Sequence, residues 1–318
     1  MDERLNSYVA WMKAQTSSVS SLTSLHFAVD CSNGMASILV HELFPEAVVI
    51  NDTLDGTFPN HSPNPLKAEA REQIAALVCE RKLDCGVIFD GDADRCMFVD
   101  ERGEFVQPDY LIPVVARASG IASGSRIIHD VRTSRGAIEE LKRMGCEPMM
   151  VPVGHAFAKP MLRRIGAVCG GELAGHYYFG EFHGCDSGVL AALRILGEVV
   201  KAKAEGKTFS EMMRPISGVY ANSGEMNFKV PPTLRLRRTG EDPKDQAIAR
   251  VLAAARAELP RELSRSEIDG IRIEYSEGWV NIRKSNTEPY LRLIVECDTT
   301  ERLKNWVGIL KGAINDKR

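Results

Sequence analysis

The sequence predicts an α/β protein with two similar mixed-sheet domains, followed by a small α+β C-terminal domain. Two observations support this prediction. Before residue 215, short apolar runs of strand type alternate twice with segments of helical periodicity, and such alternation is typical of α/β layers. Beyond a turn-rich stretch at residues 215–224, strands instead cluster between helices, which is typical of an α+β domain.

The first α/β domain is predicted over residues 25–106. Its predicted elements are a helical segment and a longer helix among four strands, at 35–43, 68–78, 26–29, 47–50, 85–89 and 96–99. Residues 1–24 are predicted to be a linker or the remnant of a missing N-terminal domain. They combine an amphipathic helical pattern at 5–12 with a Ser/Thr-rich stretch at 15–24.

The second α/β domain is predicted over residues 107–217. Its three strands and three helices are predicted at 126–129, 149–151, 167–169, 136–144, 156–164 and 188–204. The C-terminal domain is predicted over residues 222–318. Its three strands and two helices are predicted near 271–273, 279–282, 291–295, 246–259 and from 301 onward.

Composition excludes several classes of protein. The 318 residues are 44% hydrophobic, and 40 Lys and Arg face 43 Asp and Glu. A disordered chain has fewer apolar residues, and this charge balance gives no broad basic field for nucleic acid. No apolar run approaches the roughly 20 residues of a membrane span, and the N-terminus lacks a signal-peptide pattern, so we expect a cytoplasmic protein. Eight cysteines without CxxC pairs predict reduced, mostly buried thiols.

Three aspartates lie in one loop between two predicted buried strands, at residues 90–95 (DGDADR). Carboxylates this close repel one another, so a tight turn that collects Asp90, Asp92 and Asp94 is stable chiefly when a hard cation neutralises them. Mg²⁺ takes oxygen ligands and often shares them with a substrate phosphate, which the neighbouring Arg95 could also bind. The loop therefore predicts a magnesium site.

Two alternatives to this interpretation are considered. The aspartates and Glu101 match positions one, three, five and twelve of a calcium-binding EF-hand, but Arg95 occupies position six, where that loop needs glycine. The flanking segments also predict strands and not helices. The other alternative is an acidic surface turn without a ligand, although such a turn has no need of three aspartates between apolar strands.

A second polar cluster lies at residues 283–289 (RKSNTEP), between two predicted strands. Arg283 offers a guanidinium fork, Ser285 and Thr287 offer hydroxyls, and Asn286 offers an amide. Together with the free backbone N–H groups of a turn, these donors suit a phosphate. Because Ser, Asn and Thr are also ordinary turn residues, a plain hairpin turn remains the alternative.

A third cluster lies at residues 171–176 (GELAGH), after a buried strand. Glu172 could accept hydrogen bonds from vicinal sugar hydroxyls, with His176 beside it, although such a pair at a strand end is often structural. Further upstream, His155 and Lys159 lie at the start of a predicted helix, where N–H groups and a cation favour an anion. The alternative for Lys159 is a solvated helix face.

In order and spacing, these three segments resemble the motifs of the α-D-phosphohexomutase superfamily, the phosphomannomutases and phosphoglucomutases. Residues 90–95 resemble its magnesium loop, 171–176 its sugar-specificity loop and 283–289 its phosphate-binding loop. The resemblance extends from about residue 25 to the C-terminus. It also includes the segments 55–61 and 186–188.

The resemblance implies roles for particular residues. The implied metal ligands are Asp90, Asp92 and Asp94. The implied substrate-binding residues are Glu172, Ala174, Arg283, Ser285, Asn286 and Thr287. The implied supporting residues are Arg95, His155, Lys159 and His176. The implied cofactor is Mg²⁺, with hexose 1,6-bisphosphate as a candidate activator, and the implied substrate is a hexose phosphate. In the family, a phosphoserine in the first of four domains exchanges its phosphoryl group with C1 and C6 of the hexose through a bisphosphate.

Two departures from the family pattern affect these expectations. The family's Thr-x-Ser-His-Asn-Pro motif, which carries the serine, is absent from this sequence, and the similar segment around Ser62 matches the second domain instead. Ala174 stands where the family commonly has a serine that binds sugar hydroxyls, and losing one such contact costs about 1 kcal/mol. The identity of the hexose is therefore left open.

Three functions follow as hypotheses. The first is a phosphohexomutase represented by its last three domains, impaired in isolation because the phosphoserine domain is supplied separately or is missing. The second is a non-catalytic binder of sugar phosphates. The third is altered chemistry, as a Mg²⁺-dependent phosphatase or phosphotransferase. We expect a monomer or homodimer, with no nucleic-acid or membrane partner.

Overall fold

The computed structural model describes residues 3–15, 19–230, 242–285 and 289–315. The chain forms two compact units. The first contains the described residues up to Met150 together with Gly154–Ser217, and the second contains Val151–Val153 and the described residues from Gly218 onward. Within the described ranges, no helix combines the length and the apolar character needed to cross a membrane.

The N-terminal segment is part of the first unit's core. Helix α1 (Glu3–Gln15) buries Val9 and Met12, and a 3₁₀ turn (Val19–Ser24) buries Leu22. These side chains belong to the same hydrophobic cluster as the first sheet. The predicted N-terminal helix is thus present and longer than expected. Residues 19–24 of the stretch predicted as a linker differ from that prediction, because the side chain of Leu22 is buried in the core.

The first sheet has five strands in the order β2-β1-β3-β4-β5. They are β1 (Phe27–Asp30), β2 (Val48–Ile50), β3 (Cys85–Phe89), β4 (Cys96–Asp100) and β5 (Phe105–Val106). Strand β1 pairs in parallel with β2 and β3, whereas β3–β4 and β4–β5 are antiparallel. The short helix α2 (Val40–Leu43) and the longer α3 (Ala68–Arg81) connect the parallel strands.

The parallel strands bring three loops to one edge of this sheet. Carboxyl ends of parallel strands meet at the same edge, where α/β proteins commonly bind ligands. Here the Asn33 N–H donates to the Asn51 carbonyl at 2.8 Å, and the Ser32 hydroxyl donates to the Phe89 carbonyl at 2.6 Å. The loop that carries the three aspartates therefore begins beside the loops that follow β1 and β2.

The second sheet also has five strands, in the order β10-β9-β8-β6-β7. They are β6 (Arg126–Asp130), β7 (Glu147–Val151), β8 (Cys169–Gly171), β9 (Tyr177–Phe179) and β10 (Cys185–Asp186). Strands β6 and β8 are parallel, and β9 is antiparallel to both β8 and β10. The helices of this part are α4 (Ile112–Ala118), α5 (Arg135–Arg143), α6 (His155–Ile165), α7 (Gly188–Ala204) and α8 (Phe209–Ser217).

Helix α7 is almost entirely buried, and one hydrophobic cluster continues from the first sheet through α7 to the second. The ring of Phe98, on the first sheet, contacts the ring of Phe209 edge-on, with the two ring centroids 5.8 Å apart. The helix begins where the sequence predicts, because the Ser187 side chain accepts a hydrogen bond from the Leu190 N–H at 3.1 Å. Such a serine satisfies an N–H group that would otherwise lack a partner at a helix start.

The second unit contains an antiparallel sheet in the order β11-β16-β15-β14-β13, with β12 also pairing to β16. Its strands are β11 (Ala221–Asn222), β12 (Met226–Lys229), β13 (Ser264–Ser266), β14 (Ile271–Glu274), β15 (Gly278–Lys284) and β16 (Tyr290–Cys297). Helices α9 (Pro243–Glu258) and α10 (Thr300–Asn315) complete it, and the apolar residues of both join the sheet in one core. The fully buried Trp279 donates to Glu296 at 2.6 Å.

The predicted fold class is confirmed, with two mixed α/β sheets followed by an α+β part. Several short elements were not predicted. Strands β9–β13 have only two to four residues each, and their pairing depends on neighbouring strands more than on their own periodicity. Helix α8 ends near Pro215, which in the sequence indicated a turn. All eight cysteines are free and most are buried, as predicted.

Candidate functional site

The predicted metal loop is a tight turn that closes the antiparallel pair of β3 and β4. The Arg95 N–H donates to Oδ1 of Asp90 at 3.1 Å, and its Nε donates to Oδ2 at 2.7 Å. Ala93 adopts a left-handed φ of 61°. One oxygen from each of Asp90, Asp92 and Asp94 lies within 4.8 Å of the other two. The flanking strands exclude the helix–loop–helix of an EF-hand.

The electrostatics of this loop favour a cation. Burial, opposed by Arg95 and reinforced by Asp94, raises the pKa of Asp90 to about 6. Burial also raises the pKa of Asp94, against the charge of His176. The raised values mean that negative charge is unfavourable in this loop, mainly because of burial and to a lesser extent because the carboxylates are close together, and a hard cation would relieve that cost. Carboxylate oxygens at this spacing suit Mg²⁺, which Asp90, Asp92 and Asp94 could hold together.

Backbone contacts join the metal loop to the predicted sugar-specificity loop. Arg95 and His176 form an isolated antiparallel bridge, and the Cys96 N–H donates to the Gly175 carbonyl at 3.3 Å. Ala174, which precedes this contact, is half-buried and presents only a methyl group. Two segments about 80 residues apart in sequence thus form one continuous surface within the first unit.

Four charged groups meet beside this junction. Nδ1 of His176 lies 3.0 Å from Asp186 and 3.6 Å from Asp94, and Lys159 forms an ion pair with Asp186 at 2.7 Å. Burial acts against the charge on Asp186, but the contacts with His176 and Lys159 outweigh it and lower the pKa of Asp186 to about 2. Burial likewise opposes the charge on His176, yet the surrounding carboxylates raise the pKa of His176. His155 is exposed, with its ring 6.2 Å from that of His176.

Glu172 follows β8 and is almost completely buried, with 2% of its side chain exposed. Its Oε1 accepts a hydrogen bond from the Tyr178 hydroxyl at 2.5 Å, and its Oε2 accepts one from the Gly154 N–H at 3.2 Å. The guanidinium of Arg132 lies 3.7 Å from Oε2 and is held 2.6 Å from Asp130. Burial and the neighbouring Asp130 raise the pKa of Glu172.

A buried network supports the metal loop from the other side. Asp30, at the end of β1, accepts hydrogen bonds from the Ser32 N–H at 2.8 Å and from the Asn51 amide at 3.0 Å. Nε2 of His61 lies 3.0 Å from the second oxygen of Asp30. Because the Ser32 hydroxyl donates to the carbonyl of Phe89, the residue before Asp90, this network fixes the start of the loop.

The His61–Asp30 contact makes stability depend on pH. The hydrogen bond to Asp30, opposed by burial, raises the pKa of His61 above its usual 6.5. The stabilisation is therefore complete below about pH 6.5 and is lost as the pH rises through the folded-state pKa. We expect H61N to lower the melting temperature more at pH 5.5 than at pH 8.5, measured by calorimetry.

The matched control for this prediction is H41N, since His41 pairs with Asp52 at 2.9 Å but is 68% exposed. An exposed pair contributes little to stability, so the effect of H41N should be small at both pH values. An H61N effect that stays constant or grows between pH 5.5 and 8.5 would contradict the assignment.

The predicted phosphate-binding residues lie in the second unit. Arg283 is buried and pairs with Glu225 at 2.9 Å, while its Nε has no hydrogen-bond partner among the described residues. Ser285 is also buried, and its N–H donates to the Tyr290 carbonyl at 2.9 Å. Asn286 and Thr287 lie outside the described residues.

Sequence reasoning assigned no role to several residues that the fold brings to the first site, although the segments 55–61 and 186–188 were part of the resemblance. These residues are Asp30, His61, Asp130, Arg132, Tyr178 and Asp186. The available signal was positional. Asp30 and Asp130 end parallel strands, where polar side chains commonly line sites. Asp186 directly precedes a helix-capping serine. Chemically, the assembled residues could hold a hard cation, accept hydrogen bonds from hydroxyls through Glu172 and offer Lys159 and His176 as donors.

Comparison with known families covers most of the chain. Residues 6–103 match the model of phosphoglucomutase/phosphomannomutase α/β/α domain II. Residues 107–218 match α/β/α domain III, and residues 225–310 match the C-terminal domain of the same family. The three matches follow one another in the order of that family's domains.

Individual relatives give the same result. The chain is 36% identical over 282 residues to phosphohexose mutases of Xanthomonas campestris, covering 87% of this chain and 59% of theirs. It is 36% identical over 293 residues to a phosphomannomutase of Methanocaldococcus jannaschii, covering 90% and 61%. A phosphoglucomutase/phosphomannomutase family protein of Burkholderia thailandensis superimposes with a TM-score of 0.74 at 27% identity, covering 91% and 60%. The chain therefore spans about three fifths of the length of these relatives.

Proposed function

Since the chain belongs to the phosphoglucomutase/phosphomannomutase family, we propose that it binds hexose phosphates and forms the metal- and sugar-binding part of a Mg²⁺-dependent phosphohexomutase. The proposed reaction moves a phosphoryl group between the C1 and C6 oxygens of a hexose. It proceeds through a hexose bisphosphate that reorients in the site between the two transfers. Each transfer breaks one P–O bond and forms another, so the reaction needs no redox partner.

One observation carries the proposal. The turn that collects three carboxylates within 4.8 Å of one another is bonded, through Arg95 and Cys96, to the loop that presents Glu172 and His176. Phosphoryl transfer depends mainly on positioning and on neutralising charge. A cation position and a hydroxyl acceptor on one continuous surface are what such a transfer to a sugar requires.

The roles of the residues follow from this arrangement. Asp90, Asp92 and Asp94 would hold Mg²⁺, which when bound supplies positive charge against the transferring phosphoryl group. Glu172 would accept hydrogen bonds from vicinal hydroxyls of the hexose. Lys159, already an ion-pair partner of Asp186, would reorient its ammonium group toward a substrate anion.

The non-reacting phosphate is proposed to bind at Arg283 and Ser285, with Asn286 and Thr287 completing the cradle. Among the described residues, the Nε of Arg283 has no hydrogen-bond partner, which supports this role because a buried donor without an acceptor is costly and an anion would satisfy it. An exposed guanidinium could be solvated by water instead, whereas the side chain of Arg283 is only 4% exposed.

The phosphoryl donor is proposed to be a phosphoserine outside the 318 residues, which contain no Thr-x-Ser-His-Asn-Pro motif. The same observation favours two further functions. One is a binder of sugar phosphates without turnover, and the other is a Mg²⁺-dependent phosphatase that transfers the phosphoryl group to water.

Phosphorus NMR of the chain with Mg²⁺ and mannose 6-phosphate tests the proposal, with glucose 6-phosphate in a parallel sample. We expect binding of the sugar phosphate, seen as line broadening, without isomerisation. Mannose 1-phosphate should then appear once hexose 1,6-bisphosphate and a phosphorylated N-terminal domain of a relative are added. The control is E46Q, which removes an exposed carboxylate outside the site and should behave as the unmodified chain.

The other outcomes discriminate among the functions. Isomerisation by the chain alone would overturn the proposed external donor. Release of inorganic phosphate would favour the phosphatase, and binding without isomerisation under every condition would favour the non-catalytic binder. If neither sugar phosphate binds, the assignment of the sugar site is wrong.

A further inference from the structure

Two adjacent tyrosines of β9 are fully buried and direct their hydroxyl groups to different partners. The Tyr178 hydroxyl donates to Oε1 of Glu172 at 2.5 Å, whereas the Tyr177 hydroxyl donates to the Pro108 carbonyl at 2.8 Å. Successive side chains of a strand point to opposite faces. Only Tyr178 therefore faces the site, and Tyr177 provides a matched comparison with the same burial and the same chemistry.

The direction of the Tyr178–Glu172 hydrogen bond is fixed by chemistry. An ionised carboxylate can only accept, so the tyrosine must donate. Burial and the adjacent Glu172 raise the pKa of Tyr178, which keeps its proton in place. The ring of Tyr178 also lies nearly parallel to that of His176, with centroids 6.3 Å apart. The hydroxyl is thus held at one position by the strand and by packing.

The second oxygen of Glu172 is restrained less firmly. It accepts the Gly154 N–H at 3.2 Å and lies 3.7 Å from Arg132. A carboxylate has about four acceptor positions, and the hydrogen bonds from Tyr178 and Gly154 occupy two of them. Without the Tyr178 hydroxyl, the carboxylate would be free to turn toward the guanidinium of Arg132 and form a closer ion pair there.

We propose that Tyr178 is a positioning residue that fixes the carboxylate of Glu172 in the orientation that receives the hydroxyls of the hexose. This inference rests on the proposed function, because it assigns Glu172 to the sugar. Tyr178 itself does not touch the substrate. Its removal should affect recognition of the sugar and not recognition of the phosphate.

Calorimetric titration of Y178F and Y177F with mannose 6-phosphate and with inorganic phosphate tests the proposal. Y178F should bind mannose 6-phosphate about tenfold more weakly, the cost of one hydrogen bond to a charged group, and should bind inorganic phosphate as the unmodified chain does. Y177F should bind both ligands normally. An equal loss for both ligands, or an equal loss in both variants, would mean that the hydroxyl has only a structural role.

The variant E172Q separates failure of this inference from failure of the proposed function. If E172Q binds mannose 6-phosphate normally, Glu172 does not bind the hydroxyls of the sugar, and the proposed function of the site fails. If E172Q weakens binding and Y178F does not, only the role of Tyr178 fails. In the double variant, Y178F should cause no further loss, because coupled residues are not additive. Full additivity would overturn the inference.

A second measurement does not depend on the folding of Y178F. 3-Fluorotyrosine at position 178 keeps the hydroxyl group, so affinity for mannose 6-phosphate should be retained. Its fluorine resonance should shift when mannose 6-phosphate is added and stay unchanged with inorganic phosphate. A resonance insensitive to mannose 6-phosphate, measured under saturating conditions, would overturn the inference.

Discussion

Replacing Asp92 by asparagine will weaken Mg²⁺ binding about tenfold or more. Loss of a residue that only supports a metal ligand already weakens binding by about ten- to a hundredfold. Asp92 is the exposed member of the three carboxylates, so the substitution removes one charge and leaves the buried contacts of Asp90 with Arg95 intact. The melting temperature of the metal-free protein should therefore stay the same or rise slightly, because repulsion between carboxylates decreases.

Titration calorimetry with Mg²⁺ and thermal melts with and without the ion measure both parts of this prediction. E46Q removes another exposed charge, outside the loop, and should leave Mg²⁺ affinity unchanged. D90N is a poor substitute for D92N, because it would leave Arg95 without its buried partner and reduce stability directly. Equal Mg²⁺ affinity in D92N and the unmodified chain would contradict the proposed metal site.

The metal loop and the main elements could be predicted because their information is local. Three carboxylates in five residues carry their own electrostatic argument, and the strands on both sides follow from continuous apolar runs. Helix α7 was predicted over the same residues that the structure shows, and there a capping serine precedes a long apolar segment. In such segments the sequence pattern and the tertiary environment favour the same structure.

Other residues of the site, such as His61 and Arg132, could not be predicted because their contacts connect distant segments. His61 lies 31 residues from Asp30, and Arg132 lies 40 residues from Glu172. Their meeting depends on the strand order, which places the ends of parallel strands side by side. Tyr178 is fully buried, and only the position of its hydroxyl reveals the contact with Glu172.

Replacing Gly188 by alanine will destabilise the first unit and weaken Mg²⁺ binding. A Cβ atom at this position would lie 2.6 Å from the carbonyl carbon of Arg95 and 2.8 Å from the carbonyl oxygen of Ala93. Both neighbours are backbone atoms of the metal loop, so the loop itself must shift. Crowding of this kind costs about 1–3 kcal/mol, and the displaced carboxylates should bind Mg²⁺ more weakly.

The direction of this effect is informative, because helix propensity alone predicts the reverse. Alanine is favoured over glycine inside a helix by about 1 kcal/mol, so G312A in α10, where an added Cβ meets nothing within 4 Å, should leave stability unchanged or increase it. G34A approaches the loop from the other side, with its Cβ 2.5 Å from the Gly91 carbonyl oxygen, and should resemble G188A. If G188A instead melts higher and binds Mg²⁺ normally, the close approach of Gly188 to the backbone of the metal loop does not constrain that loop.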